Sequence, residues 1–278
     1  MRRAVIESVL VVLLAIVLVP MALGTIELQG LPPTWAARTY QLMKAAVTAD
    51  FVSDSGLMRI ESVPVETLRR SLVSARLVGL SLFAVLAIAI PLGIQCTTNP
   101  DDRVVRLTRR LLDAASSLPL LLWSTALYVV MARAFDVPPN AEYHAMLATL
   151  CAVISLVLGD RLLADLTQGV EIAARETLQE PYMRTVRAGG FGVSRHLLQA
   201  LVAPVATAVL SRAMYLVGGA IVVEFVFNFR GLGDLVIQGL GKDVKVALAA
   251  SLMLMAFGVG FRLLHRMAVQ LADARPLR

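Results

Sequence analysis

Two charged residues stand where an apolar run should carry none. Arg212 falls near the middle of the run from Leu197 to Val223, and Glu224 closes it. An arginine at mid-membrane depth costs ~2.5–3.5 kcal/mol on insertion scales, so it needs a water-filled or protein-lined face. Twelve helical residues separate the two, about 18 Å at 1.5 Å per residue and on different faces. They cannot pair with each other, and each needs its own partner or water. Arg212 has two readings. In one it lines a solute path and biases it toward carboxylates. In the other it closes a salt bridge between helices, including one to a second chain. The remaining inventory argues against catalysis. Gly241-Lys242 lacks the earlier glycine and the Ser/Thr of a phosphate-binding loop, and neither H-E-x-x-H nor G-x-S-x-G occurs. His144, His196 and His265 lie at the edges of apolar runs and do not cluster. Cys96 and Cys151 are too far apart in sequence to suggest a disulfide framework or a metal site. No catalytic residue, metal site or cofactor is expected. Uphill transport driven by ATP would need another chain to bind the nucleotide.

The longest polar interruption is Glu180 to Pro204, EPYMRTVRAGGFGVSRHLLQALVAP. Pro181 suits a first helical position. Gly189 and Gly190 suit the end, where a left-handed residue is wanted. Ser194 can cap the next helix, and Glu180 and Arg184 are spaced i,i+4. A short, basic, exposed helix between two apolar runs is a handle for something outside the membrane. The plainer reading is a cytoplasmic loop held inside by its arginines.

The stretch resembles the cytoplasmic coupling loop of ABC importer permeases of the dipeptide/oligopeptide/nickel type, roughly E-x-Y-V-R-T-A-R-A-K-G followed by R-H-A-L and a proline. The matches are Glu180, Tyr182, Arg184, Thr185, Arg187, Ala188 and Gly190, then Arg195, His196, Leu198 and Pro204. The link from Gly190 to His196 is about one helical turn shorter than is usual. A second block, EFVFNFRGLGDLV, is similar to the family's E-x-V-F-x-x-P-G-L-G. Glu224, Val226, Phe227, Gly231, Leu232 and Gly233 match, and Arg230 stands where proline is usual. The resemblance implies that Glu180, Tyr182, Arg184, Thr185, Arg187, Ala188, Gly190 and His196 meet an ATPase. Arg212, Glu224 and Phe227 are candidates for the translocation path, although a charge at Arg212 departs from the family's pattern, in which that position is often a neutral polar residue. The resemblance also implies the partners: a second homologous permease, two ABC ATPase subunits and an extracytoplasmic solute-binding protein, for a solute such as a peptide or nickel chelate. ATPase closure would push on the Glu180–Gly190 helix and tilt the spans between two states.

The elements that must position these residues are membrane helices. The chain has 278 residues, 58% hydrophobic and 17% charged, with a mean hydropathy of +0.74. A soluble domain would carry more charge. The net charge of +6 is scattered between apolar runs rather than gathered with aromatics, which argues against nucleic acid and for membrane lipid. Spans are expected at 4–23, 77–94, 114–132, 145–159, 197–223 and 246–261. The first could equally be a signal peptide. Gly231 and Gly233 should let the chain turn sharply as it leaves the fifth span. Three divisions follow: a first helix, 1–24; an outer segment, 25–70, with a short amphipathic helix around Trp35 to Val47; and a permease core, 71–278, with a cytoplasmic coupling loop at 160–196. Fifteen of the 26 basic residues fall on inner segments if the N-terminus is inside, and the bias is strong in the short loops. The expected architecture is all-α: six transmembrane helices of the type I importer permease fold, multi-pass in a bacterial inner membrane, both termini cytoplasmic. The alternative is a single-chain, ion-coupled secondary transporter, which would need inverted repeats with matching helix breaks; none is visible. A membrane-embedded enzyme lacks its nucleophile and metal signatures.

Overall fold

The computed structural model of the protein describes residues 2–25, 34–48, 62–134, 145–189 and 192–272. Every regular element among them is helical: α1 Arg2–Leu23, α2 Trp35–Thr48, α3 Val63–Thr98, α4 Arg103–Ala115, α5 Leu120–Ala134, α6 Ala145–Leu158, α7 Leu162–Gln179, α8 Pro181–Ala188, α9 Val193–Val226, α10 Leu232–Lys242 and α11 Val244–Ala272. Among the described residues three helical stretches are long and apolar enough to cross a membrane: Val63–Thr98, Met146–Gln179 and Val244–Leu264. The α4–α5 pair, bent by 96°, makes a fourth if counted as one span. Shorter apolar segments lie in α1 and in both halves of α9. Five of the six expected spans fall on these helices; the third, 114–132, starts in the last turn of α4 and lies mostly on α5, across the bend.

Several expected loops are helical. The second span was expected at 77–94, but α3 runs from Val63 and has 36 residues, about 54 Å against a hydrocarbon core of ~30 Å. It takes in residues assigned to the outer segment, because Arg69 and Arg70 ended the apolar run without ending the helix. Residues 160–179 were expected to open the coupling loop. From Leu162 on they form α7, a bundle helix that buries Leu162, Leu163, Leu166, Val170, Ala173 and Ala174. Its charges, Asp165 and Glu171 among them, hid that apolar stripe from a hydropathy reading. The region after the fifth span holds α10, whose Leu232 and Leu235 are fully buried. In α2 the inward face is Arg38, Thr39, Leu42 and Ala45. Apolar spacing alone puts Trp35, Leu42, Met43, Ala46 and Val47 on one face, yet Trp35 is 45% and Val47 71% exposed. A buried arginine stem shifts the stripe away from where apolar spacing alone puts it.

The core runs between α3, α5, α6, α7 and α9. In it α3 packs closely on α7. A Cβ on Gly93 would stand 2.7 Å from Val170 and 2.9 Å from the Thr167 carbonyl, so only glycine lets these two backbones meet. A second cluster joins Val63, Leu232, Leu235 and Val246 and seats α10 against α3 and α11.

Candidate functional site

The handle at one end of the bundle is α8. Pro181 occupies its first turn and Glu180 the N-cap position, without a side-chain cap bond. Gly189 is the C-cap, in a right-handed conformation with φ −79°, and its N–H donates to the Thr185 carbonyl at 2.9 Å. Gly190, the other candidate for a left-handed residue, lies outside the described residues. Ser194 does not cap α9. The helix already begins at Val193, with Gly192 in the cap position. Met183 is the anchor of α8 and is fully buried. Tyr182, Arg184, Thr185, Arg187 and Ala188 are all exposed. Among the described residues neither Arg184 nor Arg187 has an ion-pair partner, and Glu180 and Arg184 do not pair despite their spacing. His196 sits half-buried in the first turn of α9, whose next residue, Leu197, packs with Val170 and Ala174 of α7. The structure thus brings Tyr182, Arg184, Thr185, Arg187 and Ala188 onto one short helix, with Glu180 at its cap and His196 just across the connection. Sequence spacing did not single out Met183. Its signal was the pair Met183 and Val186, three residues apart in an otherwise mostly polar helix.

A second polar group lies within the bundle. Between α6 and α7 the chain breaks at Asp160 (φ 49°) and Arg161 (φ 63°), both left-handed. Asp160 Oδ1 accepts the N–H of Leu120 at 3.1 Å, at the start of α5. One turn on, Asp165 forms ion pairs with Arg212 of α9 and, at 3.5 Å, with Arg161. The Arg212 guanidinium also lies 5.4 Å from the centre of the Tyr215 ring, within cation–π range. A charge so deep is tolerable because a carboxylate sits beside it. The salt-bridge reading of Arg212 is therefore met inside the chain, by an acid in a segment the hydropathy pattern assigned to a loop. A third of the Arg212 side chain stays exposed. Beside it runs a groove of about 470 Å³ lined by Pro119, Leu121, Asp160, Tyr215, Gly218 and Val222.

Glu224 and Phe227, expected on the pathway, are only 1% and 2% exposed. The Glu224 carboxylate accepts the Ser74 hydroxyl at 2.6 Å and the Gly233 N–H at 2.7 Å. The Ser74 hydroxyl oxygen in turn accepts the Leu232 N–H at 2.8 Å. One buried carboxylate therefore ties α3, the end of α9 and the start of α10 together. A turn away, Arg70 bridges Glu66 at 2.7 Å and Asp234 at 2.9 Å. Phe227 packs edge-on against Tyr128, ring centres 6.0 Å apart. The glycines of this turn serve close approach rather than a left-handed backbone. Gly231 has φ −98°, and the three nearest neighbours of a Cβ there would all be atoms of the Glu224 carboxyl. The left-handed residue is Asn228, φ 55°.

Against known families, residues 89–272 match the binding-protein-dependent transport system inner membrane component. Among curated proteins, the chain is 33% identical over 129 residues to a putative peptide permease protein of Brucella ovis, covering 45% of this chain and 40% of that protein. It is 38% identical over 104 residues to the glutathione transport system permease protein GsiC of Pectobacterium atrosepticum, covering 36% and 34%. It is 34% identical over 115 residues to the GsiC protein of Escherichia coli, covering 40% and 37%. The matched segment thus spans two fifths or less of the length of each relative.

Proposed function

This chain belongs to the binding-protein-dependent transport system inner membrane components, and from that membership we propose that it is the permease subunit of an ATP-driven ABC importer of the peptide type. Its own part is mechanical. The observation that carries the reading is α8: a projecting helix anchored by one buried side chain, Met183, that presents Tyr182, Arg184, Thr185 and Arg187 outward. Such a helix transmits a push without a catalytic group. An ATPase closing on it would move α7 and α9, the helices it joins, and with them the groove beside Arg212. The solute is a peptide or a related small molecule, in keeping with the peptide and glutathione permeases the chain resembles. Within the path, Arg212 with Tyr215 offers a guanidinium that a solute carboxylate can meet, while Glu224 and Phe227 build the closed outer end. The partners are a second permease, two ATPase subunits and an extracytoplasmic solute-binding protein, and α8 faces the cytoplasm.

The test is uptake of radiolabelled di- and tripeptides and glutathione into proteoliposomes carrying the assembled complex. ATP should drive it, and R184E/R187E should lower it at least tenfold while the chain still inserts and assembles. Full uptake in that variant would overturn the role of α8. Uptake that needs an ion gradient and no ATP would make the protein a secondary transporter instead.

A further inference from the structure

The helix α4 presents three different faces. Val105 and Leu112 are buried against the bundle. Arg109 reaches α7 from the edge of the same side, its Nη1 3.1 Å from Glu171 Oε2. At 3.6 residues per turn, Val104, Leu107 and Leu111 share a second arc about 60° wide. They are 69%, 59% and 62% exposed. Arg103, Arg106 and Arg110 share a third arc of about the same width. All three are exposed, and among the described residues none pairs with a carboxylate. Arg106 does donate to the Asp101 backbone carbonyl at 2.9 Å, which holds its stem along the helix start.

The orientation of α4 decides what these faces meet. The helix is bent by 96° from α5 across the Ser116–Pro119 link. A helix at right angles to a spanning neighbour lies along the membrane surface. It docks through Glu171, two to three turns before α8, so it stands at the same end of the bundle. An apolar arc there reaches the acyl chains, and an arginine arc beside it sits at headgroup depth. A helix that faces only water would not carry three exposed Val and Leu side chains in one stripe next to its cations; the stripe marks a covered surface, and its place at the membrane plane points to lipid.

We propose that α4 is an in-plane helix whose Arg103, Arg106 and Arg110 bind the phosphates of anionic phospholipids while Val104, Leu107 and Leu111 enter the acyl region. The site holds the lipid against Arg109 and Glu171, and so against the end of α7 that leads into α8. It does not depend on which solute is carried or on whether α8 meets an ATPase.

The probes are phosphatidylglycerol and phosphatidylethanolamine, offered to the purified full-length chain and, separately, to the assembled complex, with retained lipid read by native mass spectrometry. The wild-type chain should prefer phosphatidylglycerol, and 0.5 M salt should weaken the preference. Each arginine changed to glutamine should lower it roughly fivefold, on the order of a hundredfold for R103Q/R106Q/R110Q. L107S/L111S should reduce retention of both lipids and keep the anionic preference. Thermal unfolding of every variant within a few degrees of wild type shows that the fold survives; R106Q alone serves if the triple variant unfolds. Equal retention of the two lipids by the wild type would overturn the proposal. So would an unchanged preference in R103Q/R106Q/R110Q, or loss of subunit co-purification with lipid retention intact, which would assign the arginines to a protein surface.

Discussion

Glu224 shows how one side chain can set several others. Its carboxylate takes up the Ser74 hydroxyl and the Gly233 amide, and its bulk leaves room only for hydrogen at residue 231. Gly231 has an ordinary backbone angle, so alanine there is opposed by contact alone. G231A should therefore destabilise the wild-type protein by about 1–3 kcal/mol, yet be close to neutral in an E224A background. Thermal or denaturant unfolding of the four proteins in detergent measures that coupling. Asp165 and Arg212 make a similar pair with opposite charges. Their side chains are 21% and 33% exposed, so water screens part of the interaction and the loss stays below that of a fully buried pair. D165A should cost about 1–3 kcal/mol and lower the amount of folded protein, and D165A/R212M should regain most of it. Equal stability of the single and double variants would show that Arg212 does not need Asp165. The sequence made Arg212 and Glu224 conspicuous because charge in an apolar run has few explanations. It gave no sign of Ser74, and Asp165 stood in a stretch that reads as polar loop.

At the scale of elements, the lever role proposed for α8 rests on its being joined to the bundle at few points. Its neighbours are α7 and α9, and Met183 is its one buried side chain. M183D should free the helix without opening the core. Unfolding should lose about 1.5–3 kcal/mol, what one fully buried methionine contributes, while ATP-driven uptake falls severalfold or more. A large drop in bundle stability would instead make α8 a structural strut. The helix itself was legible in outline: Pro181 at its start, Gly189 at its end, and the exposed basic residues between. Its anchor was not, because Met183 and Val186 are too few to set an apolar period in an eight-residue helix. The α7 helix was missed for a related reason. Asp165 and Glu171 are paired with arginines from α9 and α4, and a hydropathy window counts those charges without knowing that partners from elsewhere neutralise them.

The molecule as a whole joins two charged ends through an apolar middle. At one end α8 and α4 expose arginines, and at the other Arg70, Asp234 and Glu224 are locked among α3, α9 and α10. The proposed mechanism, driven from one side and sealed at the other, would need such a polarity. A cysteine placed at Arg184, with Cys96 and Cys151 replaced, should react with a membrane-impermeant maleimide in inside-out vesicles and not in right-side-out spheroplasts. Labelling from the outer side would reverse the topology inferred from the distribution of basic residues.

The sequence by itself determined the class of protein. Apolar runs of span length demand helices, because a backbone in hydrocarbon must satisfy its own hydrogen bonds. The spacing from Glu180 to Pro204 and from Glu224 to Gly233 carried the family. Only the tertiary structure decided which charges are paired, where helices outrun their apolar stretches, and which side chains face a groove. Those outcomes depend on contacts such as Asp165 with Arg212 and Ser74 with Glu224, made by residues far apart in the chain. Local pattern records what a residue would prefer alone; packing supplies the neighbour that changes the preference.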